Sequence, residues 1–447
     1  MYIKEIRLQN VRGFHDARDV QLDLTRPDGS LAGWTVLAGR NGSGKTSLLR
    51  AVALAIGGPG VARNLVTDFA SWTSVGERQA VVAVQMAFEA DTDRFGAGGR
   101  PPGGPFWAGL RWEVPDDDLP GSRDRQPSMV EHIPGSSSKT AARRGPWYDN
   151  PIGWFCAAYG PFRRLAGGSG DAQRLMLSRG PAARMASLFH EDASLAEGVS
   201  WLIEQHLRSL ESRPGAEELK RFALTVLGDG LLPDGYTIHD VNSDGLWVER
   251  EGHRFPLREM SDGYRTVAAL VVDLLKQVYE AYGWLDIREA DGAMAVVAPG
   301  VVIIDEVDAH LHVSWQKRIG GWLKQHFPQT QFIVTTHSPY ICQAADERGL
   351  IRLPGPHENE PPQVVDQTLY ERIVYGSGDD AVMSELFGMD TPYSDKAVEL
   401  RRELISLEAA VVSGNGDDAA LLRYAQLRDL LTSSPSARVD ELAVCPM

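Results

Sequence analysis

The sequence predicts an α/β fold with a mixed sheet, and three stretches carry that prediction. "WTVLAG" reads as a buried strand that runs into the glycine-rich turn "GRNGSGKTS" and then into the helical stretch "SLLRAVALAI". "GVVIIDE" is a continuous apolar run closed by two carboxylates, the pattern of a central parallel strand covered on both faces. "TQFIVTTHSP" is a second such strand, closed by a histidine.

The remaining elements follow in chain order. "VQLDL" alternates apolar and polar residues as a half-buried strand does, and "AVVAVQMAFEA" is another strand. Composition then changes. Asp91 to Asn150 is crowded with Gly, Pro, Ser, Asp and Arg, which predicts a long, partly mobile surface insertion holding one strand, "FWAGLRWEV". Leu195, Val199, Leu202, Ile203, His206 and Leu210 fall on one helical face and predict a helical subdomain. "YTIHDV" and "GLWVERE", joined by "NSDG", predict two strands and a turn. "MSDG" opens a helix whose Val267, Leu270, Val271, Leu274 and Val278 form an apolar stripe. From about Ser394 to Leu431, two amphipathic patterns broken at "SGNGDD" predict an antiparallel helix pair.

A chain of 447 residues, 43% hydrophobic and 23% charged, has material for two or three packed units. Its net charge of -15 argues against a protein that coats nucleic acid indiscriminately, so any such contact has to be local. Cys156, Cys342 and Cys445 lie far apart, without the spacing of a zinc site or a disulfide framework, which fits a reducing cytoplasm. Charges throughout "MYIKEIRLQNVRGF" leave no signal-peptide apolar region, and no apolar run reaches membrane-spanning length. A soluble, cytoplasmic protein is expected.

"GRNGSGKT" matches the P-loop pattern G-x-x-x-x-G-K-[ST] in the strand-to-helix context that pattern requires. Backbone N–H groups of Gly39, Arg40, Asn41, Gly42, Ser43 and Gly44 can wrap phosphates. Lys45 can neutralise the β and γ oxygens, and the hydroxyl of Thr46, followed by Ser47, can bind Mg²⁺. Asp305 ends its strand on the side where ligands bind in open α/β sheets and suits a Mg²⁺ ligand. Glu306, one residue on, suits a base that orients an attacking water. His337 can hydrogen-bond a γ-phosphate oxygen or that water, or it is a bystander to a helix capped by Ser338 and Pro339. Ser261 is either the N-cap of its helix or a hydroxyl presented to an anion at the positive end of that helix. His310 and His312 have no two further ligands at suitable spacing, so packing rather than metal binding is expected. Arg143, Arg144, Trp147 and Tyr148 offer phosphate contacts and stacking for nucleic acid, or else a solvated loop.

Taken in order, the P-loop, "MSDGYR", the Asp-Glu strand end and the strand-end histidine resemble the ATP-binding-cassette (ABC) ATPases. "YIKEIRLQNVRGF", Asn41 within "GRNGSGKTS", "IDEVDAHLHVSWQKRI" and "FIVTTHSPYI" resemble the RecF and SMC-related branch, especially its compact stand-alone bacterial members. The resemblance covers roughly residues 1–54 and 257–353. It implies an ABC-type P-loop NTPase head with parts at 1–89 and 255–355, a 90–254 insertion with a mobile loop and helical subdomain, and a C-terminal helical appendage at 356–447. It further implies a homodimer closed around two ATP molecules, with a higher oligomer left open. Ser261 and Gly263 would read the γ-phosphate bound by the other protomer, and Asp308 would lie in the loop joining the two sites. ATP hydrolysis with Mg²⁺ would then switch a separately encoded effector such as a nuclease, as in anti-phage defence loci. The alternative is a RecF-like DNA-binding repair factor whose hydrolysis times release from DNA. Three departures from the family pattern stand out: Val313 where proline is usual, Tyr264 in place of a transporter-type glutamine, and no glutamine in "AAYGPFRR", the segment that resembles the Q-loop region.

Overall fold

The computed structural model describes the chain except for residues 97–99, 116–125, 136–139, 164–169, 291, 415–416 and 432–447. Cys445 therefore lies outside the described residues. In chain order the strands are β1 (Tyr2–Gln9), β2 (Val20–Asp23), β3 (Gly33–Ala38), β4 (Gln79–Ala87), β5 (Phe106–Glu113), β6 (Ser128–Glu131), β7 (Cys156–Tyr159) and β8 (Thr237–Asn242). They continue as β9 (Gly245–Arg250), β10 (His253–Pro256), β11 (Ile287–Ala290), β12 (Ala293–Val296), β13 (Gly300–Ile304), β14 (Thr330–Thr336), β15 (Leu350–Arg352) and β16 (Gln363–Val364).

Burial sorts these strands into their sheets. β13 and β14 are buried along their whole length, as their unbroken apolar runs require, and they pair in parallel at the centre of the sheet β16-β15-β3-β14-β13-β7. β3 and β7 flank them, also in parallel. The register sets Ile304 beside Tyr159 and Val334, and Ala38 beside Thr336. Four chain segments therefore leave the sheet at one edge: the glycine-rich turn, the residues after Tyr159, the Asp-Glu pair, and the histidine after Thr336.

The second sheet, β2-β1-β4-β5-β6, is antiparallel throughout. The helix Lys45–Leu65 that follows the glycine-rich turn packs on its β4 and β5. Proline at 59, beside Gly58 in a left-handed conformation, kinks this helix. The helices Ala196–Leu210 and Ala216–Gly228 form the expected helical subdomain and pack on the helix Asp262–Tyr282. Val267, Leu270, Val271, Leu274 and Val278 of that last helix are all buried, as their spacing predicts. The expected hairpin is β8 and β9, to which β10 adds a third strand.

Two expectations need correction. The 90–254 segment is not wholly an insertion, because β5 and β6 extend the antiparallel sheet and β7 is a flanking strand of the parallel one. Phe106, Ala108, Leu110 and Trp112 are almost fully buried, and Trp112 stacks on Trp72 with ring centroids 5.3 Å apart. Polar, glycine-rich flanks masked this core strand in a reading that weighed composition over a long window. Likewise, the C-terminal unit begins at Met389 rather than 356, since β16 pairs with β15 and belongs to the first unit, Met1–Gly388. Within the second unit the helices Asp395–Val412 and Asp418–Leu430 pack on each other. Ser394 and Asp417 cap their N-termini, and Arg423 binds the Glu403 carboxylate through two bonds of 2.7 and 2.9 Å.

Among the described residues no helix is long and apolar enough to cross a membrane. The basic stretch proposed for nucleic acid is engaged within the fold. Arg143 binds Glu131 at 2.7 Å, Arg144 donates to the Gly96 carbonyl at 3.2 Å, and the Trp147 indole donates to the Ala55 carbonyl at 3.0 Å. Arg144 and Trp147 are thus committed within the fold, while Arg143 and Tyr148 stay exposed.

If β5 is core, Trp112→Ala should destabilise the protein by about 3–5 kcal/mol, the usual range for truncating a buried aromatic. Urea unfolding measures this, and a loss near zero would return the segment to the surface.

Candidate nucleotide site

The glycine-rich turn between β3 and its helix is shaped by local geometry. Gly44 adopts φ 97°, and a Cβ there would sit 2.6 Å from the Phe14 ring, so no other residue fits. The turn ends on Lys45, only 7% exposed, whose ammonium donates to the carbonyls of Gly39 at 2.8 Å and Arg40 at 3.1 Å. Burial pushes the Lys45 ammonium below the usual lysine range, while Asp305, Glu306 and Asp308 oppose the shift. Arg18, itself buried, donates to the Ser43 carbonyl at 3.3 Å and to Pro354 at 3.0 Å, bracing the turn from behind. Ser47 accepts a bond of 3.3 Å from Arg12. Asn41 and Gly42 are exposed at the tip, and the Arg40 side chain turns away to the carbonyls of Phe387 and Gly388. Arg40 therefore contributes to the turn through its backbone.

Directly beside this turn, the Thr46 hydroxyl donates to Asp305 Oδ2 at 2.7 Å. This bond joins two segments 259 residues apart, and it is the contact expected if both groups serve one ligand. Asp305 is 1% exposed, and its other oxygen accepts from the Thr335 hydroxyl at 2.5 Å. Thr335 in turn accepts from the Glu306 N–H at 2.7 Å. Asp308 accepts from the Thr336 hydroxyl at 2.5 Å. Sequence reading missed these two threonines. The "TT" before the histidine looked like ordinary strand residues, since both β-branched side chains suit a strand.

His337 follows Thr336 and is exposed; among the described residues its imidazole has no hydrogen-bond partner. Partial burial and then the Lys45 ammonium lower its pKa below the ordinary value, with Asp308, Glu306 and Asp305 opposing. Those interactions place His337 in the same electrostatic cluster as the Lys45 ammonium and the three carboxylates. Ser338 caps the short helix after it by accepting from the Tyr340 N–H at 3.2 Å, as the sequence suggests.

No hydrogen bond among the described residues joins the signature-like segment to Lys45, Thr46 or Asp305. Ser261 is the N-cap of its helix by backbone geometry, yet its hydroxyl makes no capping bond and is exposed. A Cβ on Gly263 would stand 2.6 Å from the His310 carbonyl, so glycine is required there for packing against the loop after the carboxylates. Tyr264 donates to Asp234 at 3.1 Å. His312 is accounted for as a helix cap, with Nδ1 accepting from the Ser314 N–H at 3.3 Å. Among the described residues no group of three or more His, Cys, Asp or Glu could hold a metal ion by itself.

A parallel sheet whose P-loop helix, paired carboxylates and strand-end histidine converge at one end defines an α/β fold of the P-loop NTPase type. Comparison with known proteins agrees. A family described as "AAA domain" matches residues 5–131, and one described as "AAA domain, putative AbiEii toxin, Type IV TA system" matches residues 215–343. The chain is similar in sequence to a Septu protein and to a retron probable ATPase. It is 25% identical over 352 residues to "Septu protein PtuA" of Bacillus mycoides, covering 78% of this chain and 39% of that protein. It is 29% identical over 163 residues to "Retron Ec83 probable ATPase" of Escherichia coli, covering 36% of this chain and 27% of that protein. The matched regions thus span well under two thirds of these relatives. Among solved structures, an Smc head bound to the C-terminal winged-helix domain of ScpA aligns at a TM-score of 0.46 and 17% identity, covering 82% of this chain and 98% of that one.

The Thr335 hydroxyl serves Asp305 and Glu306 together, so Thr335→Val should leave two buried groups unpaired and cost about 1–3 kcal/mol of stability. Thr335→Ser should lose less. Thermal or urea unfolding of both variants checks this, and equal loss in the two would assign the effect to packing.

Proposed function

We propose that this chain binds ATP at its P-loop, hydrolyses it, and dimerises around it to switch an effector encoded separately. The observation that carries the reading is the 2.7 Å bond between Thr46 and Asp305, made beside Lys45 and one residue from Glu306. A hydroxyl and a carboxylate are hard oxygen donors, the set Mg²⁺ takes when it also binds phosphate oxygens. Thr46 and Asp305 would hold that ion, which when bound would draw charge from the β and γ oxygens of the nucleotide. Backbone N–H groups of Gly42, Ser43 and Gly44 and the Lys45 ammonium bind the phosphates. Glu306 orients a water against the γ-phosphorus and takes its proton as the P–O bond to ADP breaks. His337, whose pKa is lowered by burial and then by Lys45, contributes a hydrogen bond to that water or to a γ oxygen.

Ser261 acts across the dimer on this reading. Its uncapped, exposed hydroxyl at the positive end of a 21-residue helix is suited to an anion that its own chain does not present. The matches to Septu and retron ATPases support an effector-linked role in phage defence, in keeping with the compact stand-alone ATPases that the sequence resembles. No observation on the basic stretch at 143–148 favours the DNA-repair alternative.

Lys45→Ala should weaken ATP binding, whereas Glu306→Gln should keep binding and slow turnover by about 10²- to 10⁴-fold, the span for losing a positioned acid or base. Nucleotide affinity and steady-state phosphate release separate the two effects; equal loss of binding in both variants would remove Glu306 from the chemistry. Ser261→Arg should block ATP-driven dimerisation in the Glu306→Gln background while leaving single-site nucleotide binding intact. Sedimentation with and without ATP reads this out, and undiminished dimerisation would leave Ser261 as a helix N-cap alone.

A further inference from the structure

Arg163 lies four residues beyond Tyr159, in the segment that supplies no glutamine. Its side chain is buried, 2% exposed, and is spent on main-chain carbonyls. Nη1 donates to Gly160 at 3.0 Å and Asp305 at 2.9 Å, and Nη2 to Glu306 at 2.9 Å and Val307 at 3.4 Å. One guanidinium thus holds three consecutive carbonyls of the turn that carries the carboxylates. Burial pushes the guanidinium down to about 10, with Asp308, Asp305 and Glu306 opposing, so it stays charged at neutral pH.

That turn needs holding. Glu306 has φ 46°, in the left-handed region, which a residue with a side chain adopts only where its surroundings impose it. Here the N–H of Glu306 is fixed by Thr335 at 2.7 Å, and its carbonyl by Arg163 at 2.9 Å and the Ala309 N–H at 2.9 Å. The left-handed backbone decides where the carboxylate points.

We propose that Arg163 is a positioning residue for Glu306, fixing the peptide groups around it so that the carboxylate faces the water that attacks the γ-phosphate. The inference rests on the ATPase reading above. Lysine cannot span three carbonyls from one planar fork. Methionine fills similar space without a charge to bury and so guards against simple unfolding.

The test is a double-mutant cycle. Arg163→Lys and Arg163→Met, each with Glu306 intact and as Glu306→Gln, are measured for kcat, ATP affinity and amide hydrogen exchange over residues 304–311. Positioning predicts that kcat falls about 10- to 100-fold, the range for groups that orient reacting ones, while ATP affinity holds and exchange in the turn quickens. With Glu306→Gln in place the Arg163 variants should add no further loss, because the group they aim is gone. Losses that multiply across the two sites, or unchanged exchange, would make Arg163 a packing residue and overturn the proposal. Failure of the unmutated protein to release phosphate while it binds ATP would instead overturn the ATPase reading, and this inference with it.

Discussion

Three carboxylates, Asp305, Glu306 and Asp308, fall within four residues at the end of one buried strand, and the need to partner them is the constraint that shapes the site. Carboxylates drawn out of water are costly unless hydrogen bonds and opposite charges meet them. Compensation comes from every element around them. Thr46, Thr335 and Thr336 donate hydroxyl bonds, Lys45 brings an ammonium from the P-loop helix, and Arg163 brings a guanidinium from beyond β7. The parallel register makes this convergence unavoidable, since β3, β7, β13 and β14 all release their chains at one edge.

The same constraint explains which parts of the site could be read from sequence. Lys45, Thr46, Asp305 and Glu306 announce themselves because glycine spacing and a carboxylate pair after an apolar run are local patterns. Arg163 does not, because an arginine that binds carbonyls leaves no pattern in the residues it binds. Thr335 and Thr336 were hidden by their fitness for a strand. The central strands were legible from unbroken apolar runs, while β5 was obscured by the glycines and prolines around it, although Phe106 and Trp112 carry core aromatics. Trp147 misled in the opposite direction. Beside two arginines it suggested stacking on bases, yet its indole closes the kink of the P-loop helix through Ala55.

The signature-like helix sits where two demands meet. Gly263 is needed within its own chain because the His310 carbonyl leaves no room for a Cβ, and this ties the helix start to the loop that follows the carboxylates. Ser261, two residues earlier, presents an exposed hydroxyl with no capping duty.

On the proposed function the Thr46 and Asp305 pair, beside Lys45 and Glu306, forms one site for hydrolysis of ATP. Phosphate release from ATP in the presence of Mg²⁺, compared between the unmutated protein and Asp305→Asn, tests it most directly. The account predicts release by the unmutated protein, dependence on Mg²⁺, and near-complete loss in Asp305→Asn with the fold intact. Equal release by the two proteins, or none from either despite bound ATP, would contradict it.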